Sequence, residues 1–115
     1  MNIEDIREYC LLKNHVTEGF PFDDTTLVFK VMNKMFALLS LKEDHSINLK
    51  CDPDKAIELR SHYDFVLPGY HMNKEHWNTV EVDGRVSEKL LKEWIDDSYN
   101  LIVESLPKKV RENFK

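Results

Sequence analysis

Three strand-like runs joined by short polar turns constrain the fold of this chain most. Residues 25–32 are rich in β-branched and aromatic side chains, residues 35–41 are apolar at almost every position, and residues 46–51 alternate apolar with polar positions. Because connections this short return each strand beside the previous one, we predict an antiparallel meander. Asn33-Lys34 is the predicted tip of its first hairpin, since Asn tolerates positive φ.

Alternation within the middle run predicts which of its side chains face the same way. Ala37 and Leu39 share one face, whereas Phe36 and Leu38 share the other. Both faces are largely apolar, which is typical of a central strand that is covered on both sides. We therefore place this run in the middle of the sheet.

Helices are predicted before, between and after the strands. A first helix is predicted over residues 3–13, a second from Asp52 to about Tyr63, and a long amphipathic third one from Ser87 to Leu106. The further predicted strands cover residues 16–22, 65–67 and 76–82. This order favours an α+β fold in which one sheet carries helices packed on one side.

Composition and charge narrow the class of protein. The 115 residues, of which 42% are hydrophobic, suit a single domain spanning residues 1–115. The acidic start of the chain lacks a signal-peptide pattern and no apolar run is long enough to cross a bilayer, so we expect a cytoplasmic protein without membrane contact. The formal charge of −5 opposes tight non-specific binding to nucleic acid, and any such binding needs a local basic patch.

The segment from Pro68 to Val80 combines polar and aromatic side chains between a helix and a strand, yet it matches no catalytic pattern. His71 and His76 have no metal-ligand spacing, and neither cysteine has a base nearby in the sequence to activate it. The chain has only three glycines, widely spaced, so it contains no phosphate-binding loop. We expect a protein that is not an enzyme and that holds no metal and no cofactor.

Motifs along most of the chain resemble the MmcQ/YjbR-like proteins. They include Phe20-Pro21-Phe22, Thr26-Leu27-Val28-Phe29-Lys30-Val31, Lys34-Met35-Phe36-Ala37-Leu38-Leu39, Asn48-Leu49-Lys50-Cys51-Asp52-Pro53, Pro68-Gly69-Tyr70-His71-Met72-Asn73-Lys74, His76-Trp77-Asn78-Thr79-Val80 and Leu106-Pro107-Lys108-Lys109. The chain departs from the family at Met32-Asn33, where small glycine-like turn residues are frequent. The resemblance implies a two-layer α+β fold of the α-β(3)-α-β(2)-α type with an antiparallel sheet, comparable to CyaY-like folds. It also implies DNA binding through a double wing of paired hairpins.

Carried onto this chain, the resemblance gives a set of expected DNA contacts on the wings and rim of the sheet. These positions are Lys30, Lys34, Lys50, His71, Asn73, Lys74, His76 and Asn78. Lysines suit phosphates, and asparagine suits adenine edges. We therefore expect a small DNA-binding protein, for which a regulatory role is one option, and a monomer rather than an oligomer. The alternative is a non-enzymatic module that binds a protein or a small ligand in a groove around Tyr70, His71 and Trp77.

Overall fold

The fold is a six-stranded antiparallel sheet with its helices on one side. The computed structural model describes residues 1–70 and 72–114. The strands are β1 Val16–Gly19, β2 Thr26–Val31, β3 Lys34–Ser40, β4 Ser46–Lys50, β5 Val66–Pro68 and β6 Trp77–Glu81. The helices are α1 Ile3–Leu11, α2 Pro53–His62, α3 Glu88–Ser105 and α4 Lys108–Arg111, followed by a 3₁₀ turn at Glu112–Phe114. The strand order is β1-β2-β3-β4-β6-β5, which confirms the meander and adds β1 as a fourth strand to it.

Local capping explains where the helices begin. The side chain of Asn2 accepts a hydrogen bond from the amide of Asp5, whose carboxylate accepts one in return, and this capping box starts α1. Asp52 caps α2 directly before Pro53, and Ser87 caps α3 through the amide of Leu90. All three starts agree with the sequence prediction.

The tip of the β2–β3 hairpin lies one residue earlier than predicted. Met32 and Asn33 both have positive φ, 49° and 68°, so they are the two central residues of the turn. Lys34 is already the first residue of β3. The prediction at Asn33-Lys34 was wrong because positive φ is unfavourable for Met, and propensity therefore placed the turn later.

A β-bulge in the β2–β3 pair corrects the predicted faces of β3. Phe29 pairs with Ala37, but Lys30 pairs with Met35, so Phe36 is the extra residue. Both Phe36 and Ala37 consequently point into the main core, where each is fully buried. The predicted strict alternation, with Phe36 on the same face as Leu38, was wrong at this point.

The core lies between the sheet and the helices. Fully buried side chains of α1 and α3, such as Ile6 and Ile95, pack against Phe29, Leu39 and Ile47 of the strands. Across residues 1–70 and 72–114, no helix combines the length and the apolar character that crossing a membrane requires. The opposite face of the sheet has no helix of the described chain against it, and the loops at its margins shape it.

Candidate functional site

The helix-free face of the sheet carries a small apolar cluster at its centre. Val28, Leu38 and Trp77 form this cluster, and Met35 and Met72 pack against it. The register supports one shared face, because Val28 is paired directly with Leu38 across β2 and β3. We call this surface, with the polar side chains around the cluster, the helix-free face.

The loop between β5 and β6, described at residues 69–70 and 72–76 and called the 69–76 loop, lies over one side of the helix-free face. Gly69 holds its start, because the Gly69 amide donates to the Trp77 carbonyl at 2.9 Å. A Cβ at Gly69 would lie only 2.8 Å from the Cβ of Trp77, so glycine is required for this close approach. The amide of Tyr70 then donates to Oγ1 of Thr79 at 2.9 Å, which ties the loop to β6.

Arg60 of α2 fastens the other end of this loop from the opposite side. Its Nε donates to Oδ1 of Asn78 at 2.6 Å, and its Nη2 donates to the carbonyl of Trp77 at 3.1 Å and to that of Lys74. Asn73 closes the loop internally by accepting the Glu75 amide at 2.9 Å. One guanidinium therefore connects the helix layer to the loop and to β6.

A groove of about 620 Å³ runs across the helix-free face between the loops 20–25 and 69–76. Its floor is Leu38, flanked by hydroxyl and amide side chains from four strands. Its lining residues are Phe22, Asp23, Thr26, Leu38, Ser40, Lys42, Ser46, Asn48, Tyr70, Met72 and Thr79. The volume falls within the range of small-ligand sites.

Asn48 and Thr79 organise the polar part of the groove. The Thr79 hydroxyl donates to Oδ1 of Asn48 and accepts from the amide of Tyr70, so its hydrogen-bonding geometry is fixed. Nδ2 of Asn48 is 3.5 Å from the carbonyl of Tyr70, which is a long contact for a hydrogen bond. The Asn48 amide thus has donor capacity left on the groove side.

The structure brings two of the predicted lysines together and separates a third from them. Lys30 is paired with Met35 and Lys50 with Trp77, so both lie on the helix-free face. They flank β3, two strand spacings or roughly 10 Å apart. Lys34 is paired with Val31, a buried core residue, so its side chain leaves the hairpin from the opposite face.

The other predicted contacts have structural roles or lie elsewhere. Nζ of Lys74 donates to the carbonyl of Gly69 at 3.2 Å. The side-chain oxygen of Asn73 accepts the Glu75 amide within the same loop. His76 is half-buried at the end of the same loop. Asn78 is only 3% exposed and faces the helices, so it cannot offer its side chain to a duplex and its predicted contact is corrected. The prediction for His71 lies outside the described residues.

Charge is distributed unequally among the helices. α1 carries three acids and one base and α3 carries five acids and two bases, whereas α2 has two of each and α4 carries three bases and no acid. On the helix-free face Lys30 and Lys50 stand at one end, whereas Glu81 is at the other, with Nη2 of Arg85 3.8 Å from its carboxylate. Lys30 and Lys50 therefore face away from the two acidic helices, α1 and α3.

Asp23 is the acid in the groove wall, and its carboxylate is well satisfied. It accepts bonds from the amides of Thr25 and Thr26, at 3.0 and 2.7 Å, and from both of their hydroxyls. These bonds, led by the one from the Thr25 amide, hold the pKa of Asp23 below its ordinary value. Asp23 is therefore charged at neutral pH and shapes the turn before β2.

Neither thiol is positioned as a nucleophile. Burial raises the pKa of Cys10 from 9.0 to about 12, and burial also raises the pKa of Cys51. Within residues 1–70 and 72–114, no three His, Cys, Asp or Glu side chains are grouped to hold a metal ion.

Comparison with known proteins identifies the family. Residues 11–101 match the sequence profile of the YjbR family. The chain belongs to the YjbR family. It is similar to the uncharacterized protein YbdF of Escherichia coli O157:H7, with 44% identity over 91 residues that cover 78% of this chain and 75% of that protein. It is 31% identical over 112 residues to the uncharacterized protein YjbR of Escherichia coli K12, covering 96% and 95% of the two chains.

Solved structures confirm the α+β fold of this YjbR-family chain. The crystal structure of Deinococcus radiodurans protein DR2400 superposes with a TM-score of 0.90 and 42% identity, over 97% of this chain and 86% of that one. A crystal structure of a protein from Pseudomonas syringae gives a TM-score of 0.77 with 30% identity, over 88% and 98% of the two chains. The predicted family and fold are thereby confirmed.

Sequence reasoning missed the residues that build the groove and fasten its loop. Arg60 carries no sequence signal, because its partners lie on segments that only the fold brings close. Thr79 was predicted as part of a strand, but its bond to Asn48 depends on the β4–β6 pairing, in which these two residues are opposite each other. The outward position of Asn48 and Lys50 was predictable from alternation in β4.

Proposed function

We propose that this YjbR-family protein is a non-enzymatic DNA-binding protein that uses the helix-free face of its sheet. The observation that carries the proposal is the position of Lys30 and Lys50 on this face, turned away from the acidic helices α1 and α3. Lysines near an open sheet face suit phosphate contacts, whereas the acidic helices α1 and α3 repel a polyanion.

The family resemblance adds independent support for DNA as the partner. DNA binding through a double wing requires a hairpin, and the β2–β3 hairpin ends in a tight turn at Met32-Asn33. Lys30 lies close to the tip of this hairpin, two residues before Met32, on the side that faces away from the helices. With few lysines available, binding is weak near physiological salt and strongly salt-dependent.

A charge-reversal experiment tests this surface. Wild type is titrated with labelled single-stranded and double-stranded DNA of one length at about 50 and 200 mM salt, a range over which screening changes appreciably. Two phosphate contacts give a slope of log affinity against log salt of about −1.8 on a duplex. The variant Lys30→Glu/Lys50→Glu is expected to lose binding.

The matched control changes the same charge on the other layer. Lys89 and Lys108 are exposed positions on α3 and α4, so Lys89→Glu/Lys108→Glu lowers the formal charge equally without touching the helix-free face. This control is expected to retain most of the wild-type affinity. Equal loss in both variants would show that only total charge matters, and no binding by wild type at low salt would contradict DNA binding itself.

The second candidate function is a module that binds a peptide or a small ligand. The groove of about 620 Å³, with Tyr70 in its wall, favours it. Trp77, expected to line this groove, is instead buried beneath the loop in the apolar cluster. This candidate predicts binding that is insensitive to Lys30→Glu/Lys50→Glu.

A further inference from the structure

The groove on the helix-free face has exposed aromatic side chains in its walls and polar groups that can form further hydrogen bonds. A pair of lysines lies on the same face. We infer that the groove takes an unstacked base of a single-stranded nucleic acid, whose backbone crosses Lys30 and Lys50. This inference rests on the proposed function and specifies its substrate class. Each of the three features selects for one part of a nucleotide.

The aromatic walls supply stacking surface. Phe22 is 64% exposed and Tyr70 is 68% exposed, and they come from two different loops that border the same groove. Exposed aromatic rings beside a cavity are typical of interaction surfaces. Single-stranded nucleic acids are bound by stacking bases on such side chains, and this contact tolerates any base because every base has a π-face.

The floor supplies hydrogen bonds for a base edge. Asn48 is held by Thr79 so that its amide nitrogen keeps donor capacity, and the hydroxyls of Ser40 and Ser46 lie on the same face. In a duplex the Watson–Crick edges are already paired and stacked. A single strand can turn a base into the groove without breaking such pairs.

The charges separate the base from its phosphates. Asp23 and Lys42 both line the groove, so the groove wall has no net positive charge to draw a phosphate inside. Lys30 is four residues along β2 from Thr26, and Lys50 is four residues along β4 from Ser46. At ~3.3 Å per residue, both lysines lie about 13 Å from the groove end of their strands. With a base in the groove and the backbone running towards Lys30 and Lys50, the phosphates lie beside positive charges and away from the Asp23 carboxylate.

A comparison of single-stranded and double-stranded DNA tests this inference. The probe is a fluorescein-labelled oligothymidine of roughly 15 nucleotides, which is long enough for one binding site, beside a duplex of equal length. Fluorescence anisotropy is expected to show tighter binding of the single strand. Phe22→Ala is expected to weaken single-strand binding about tenfold, with little effect on the duplex, because one stacking contact is lost.

Two further variants make this result specific. Ile57 is 64% exposed on α2, the same exposed fraction as Phe22, so Ile57→Ala removes an equally exposed apolar side chain from the helix layer and is expected to change nothing. Phe22→Trp retains a ring and is expected to keep the affinity. An unchanged melting temperature in each variant shows that the fold is intact.

The outcomes separate the inference from the proposed function. Equal affinity for both DNA forms, unaffected by Phe22→Ala but lost in Lys30→Glu/Lys50→Glu, would overturn the single-strand inference and leave DNA binding standing. No binding of either DNA would overturn both and favour a peptide ligand. Competition by thymidine monophosphate as effective as that by the unlabelled oligomer would also overturn the inference, in favour of a free nucleotide.

Discussion

The hydroxyl of Ser98 on α3 donates a 2.6 Å hydrogen bond to the carbonyl oxygen of Phe36, the bulged residue of β3. The same hydroxyl accepts the amide of Lys50 on β4 at 2.9 Å. β3 and β4 pair directly only as far as Ala37 and Leu49. The Ser98 hydroxyl therefore takes the place of the next hydrogen bond between these two strands. A fully buried side chain of the helix layer thereby holds the end of β4 that carries Lys50.

Removing this hydroxyl is expected to destabilise the protein. Ser98→Ala leaves the buried carbonyl of Phe36 and the partly buried amide of Lys50 without this partner, and the buried group alone costs about 1–3 kcal/mol. The measurement is the free energy of unfolding in urea. Ser105→Ala is the matched control, because its hydroxyl bonds only to Ile102 within the same helix at an exposed position. A Ser98→Ala variant as stable as this control would contradict the bridging role.

Gly69 is expected to be intolerant of even one added methyl group. In Gly69→Ala the new Cβ would lie 2.8 Å from the Cβ of Trp77 and 2.9 Å from its carbonyl oxygen. Because the backbone must shift, we expect a loss of roughly 1–3 kcal/mol and a displaced 69–76 loop. Gly19→Ala is the control, since nothing lies within 4 Å of its added Cβ. Equal melting temperatures for the two variants would refute the close approach.

Stability is expected to fall as the pH rises from about 9 to about 12. Burial raises the pKa of Cys10 to about 12, and burial together with the hydrogen bond to Asp96 raises the pKa of Tyr9 to about 12. The native state therefore keeps these protons in a range where the unfolded chain releases them. The stabilisation is complete below the unfolded pKa values and disappears above the native ones.

Urea titrations at several alkaline pH values measure this effect. Cys10→Ala removes one of the two groups, so its stability is expected to decline less steeply with pH, even though the cavity lowers its stability throughout. A wild-type unfolding free energy that stays constant through this range would contradict the burial of both protons. A variant with an unchanged slope would assign the effect to Tyr9.

Strands, helices and family were predictable because their signals are local. Asp52-Pro53 and Ser87 mark helix starts by side-chain chemistry that acts within a few residues. The alternation of apolar and polar residues in β4 likewise predicts that Asn48 and Lys50 point outward, and their pairing with β6 confirms it. Such features need no knowledge of distant contacts.

The remaining features depend on contacts between distant segments. The bulge at Phe36 is held by a hydrogen bond from Ser98, 62 residues away, and no local pattern reveals this. Lys30 and Lys34 both flank the predicted hairpin and were expected on one surface. Because the turn is at Met32-Asn33, their side chains lie on opposite faces of the sheet. Asn78 looked like a surface amide, whereas Arg60 makes it a buried partner.

Methionine methyl groups report directly on whether the helix-free face binds DNA. Met35 and Met72 pack on the apolar cluster of this face, whereas Met1 packs against the main core. In an NMR titration of methyl-labelled methionine protein with the single-stranded oligothymidine, the Met35 and Met72 signals are expected to shift while that of Met1 stays in place. A shift of Met1 with Met35 and Met72 unmoved, or no shift of any methyl group at low salt, would contradict the account.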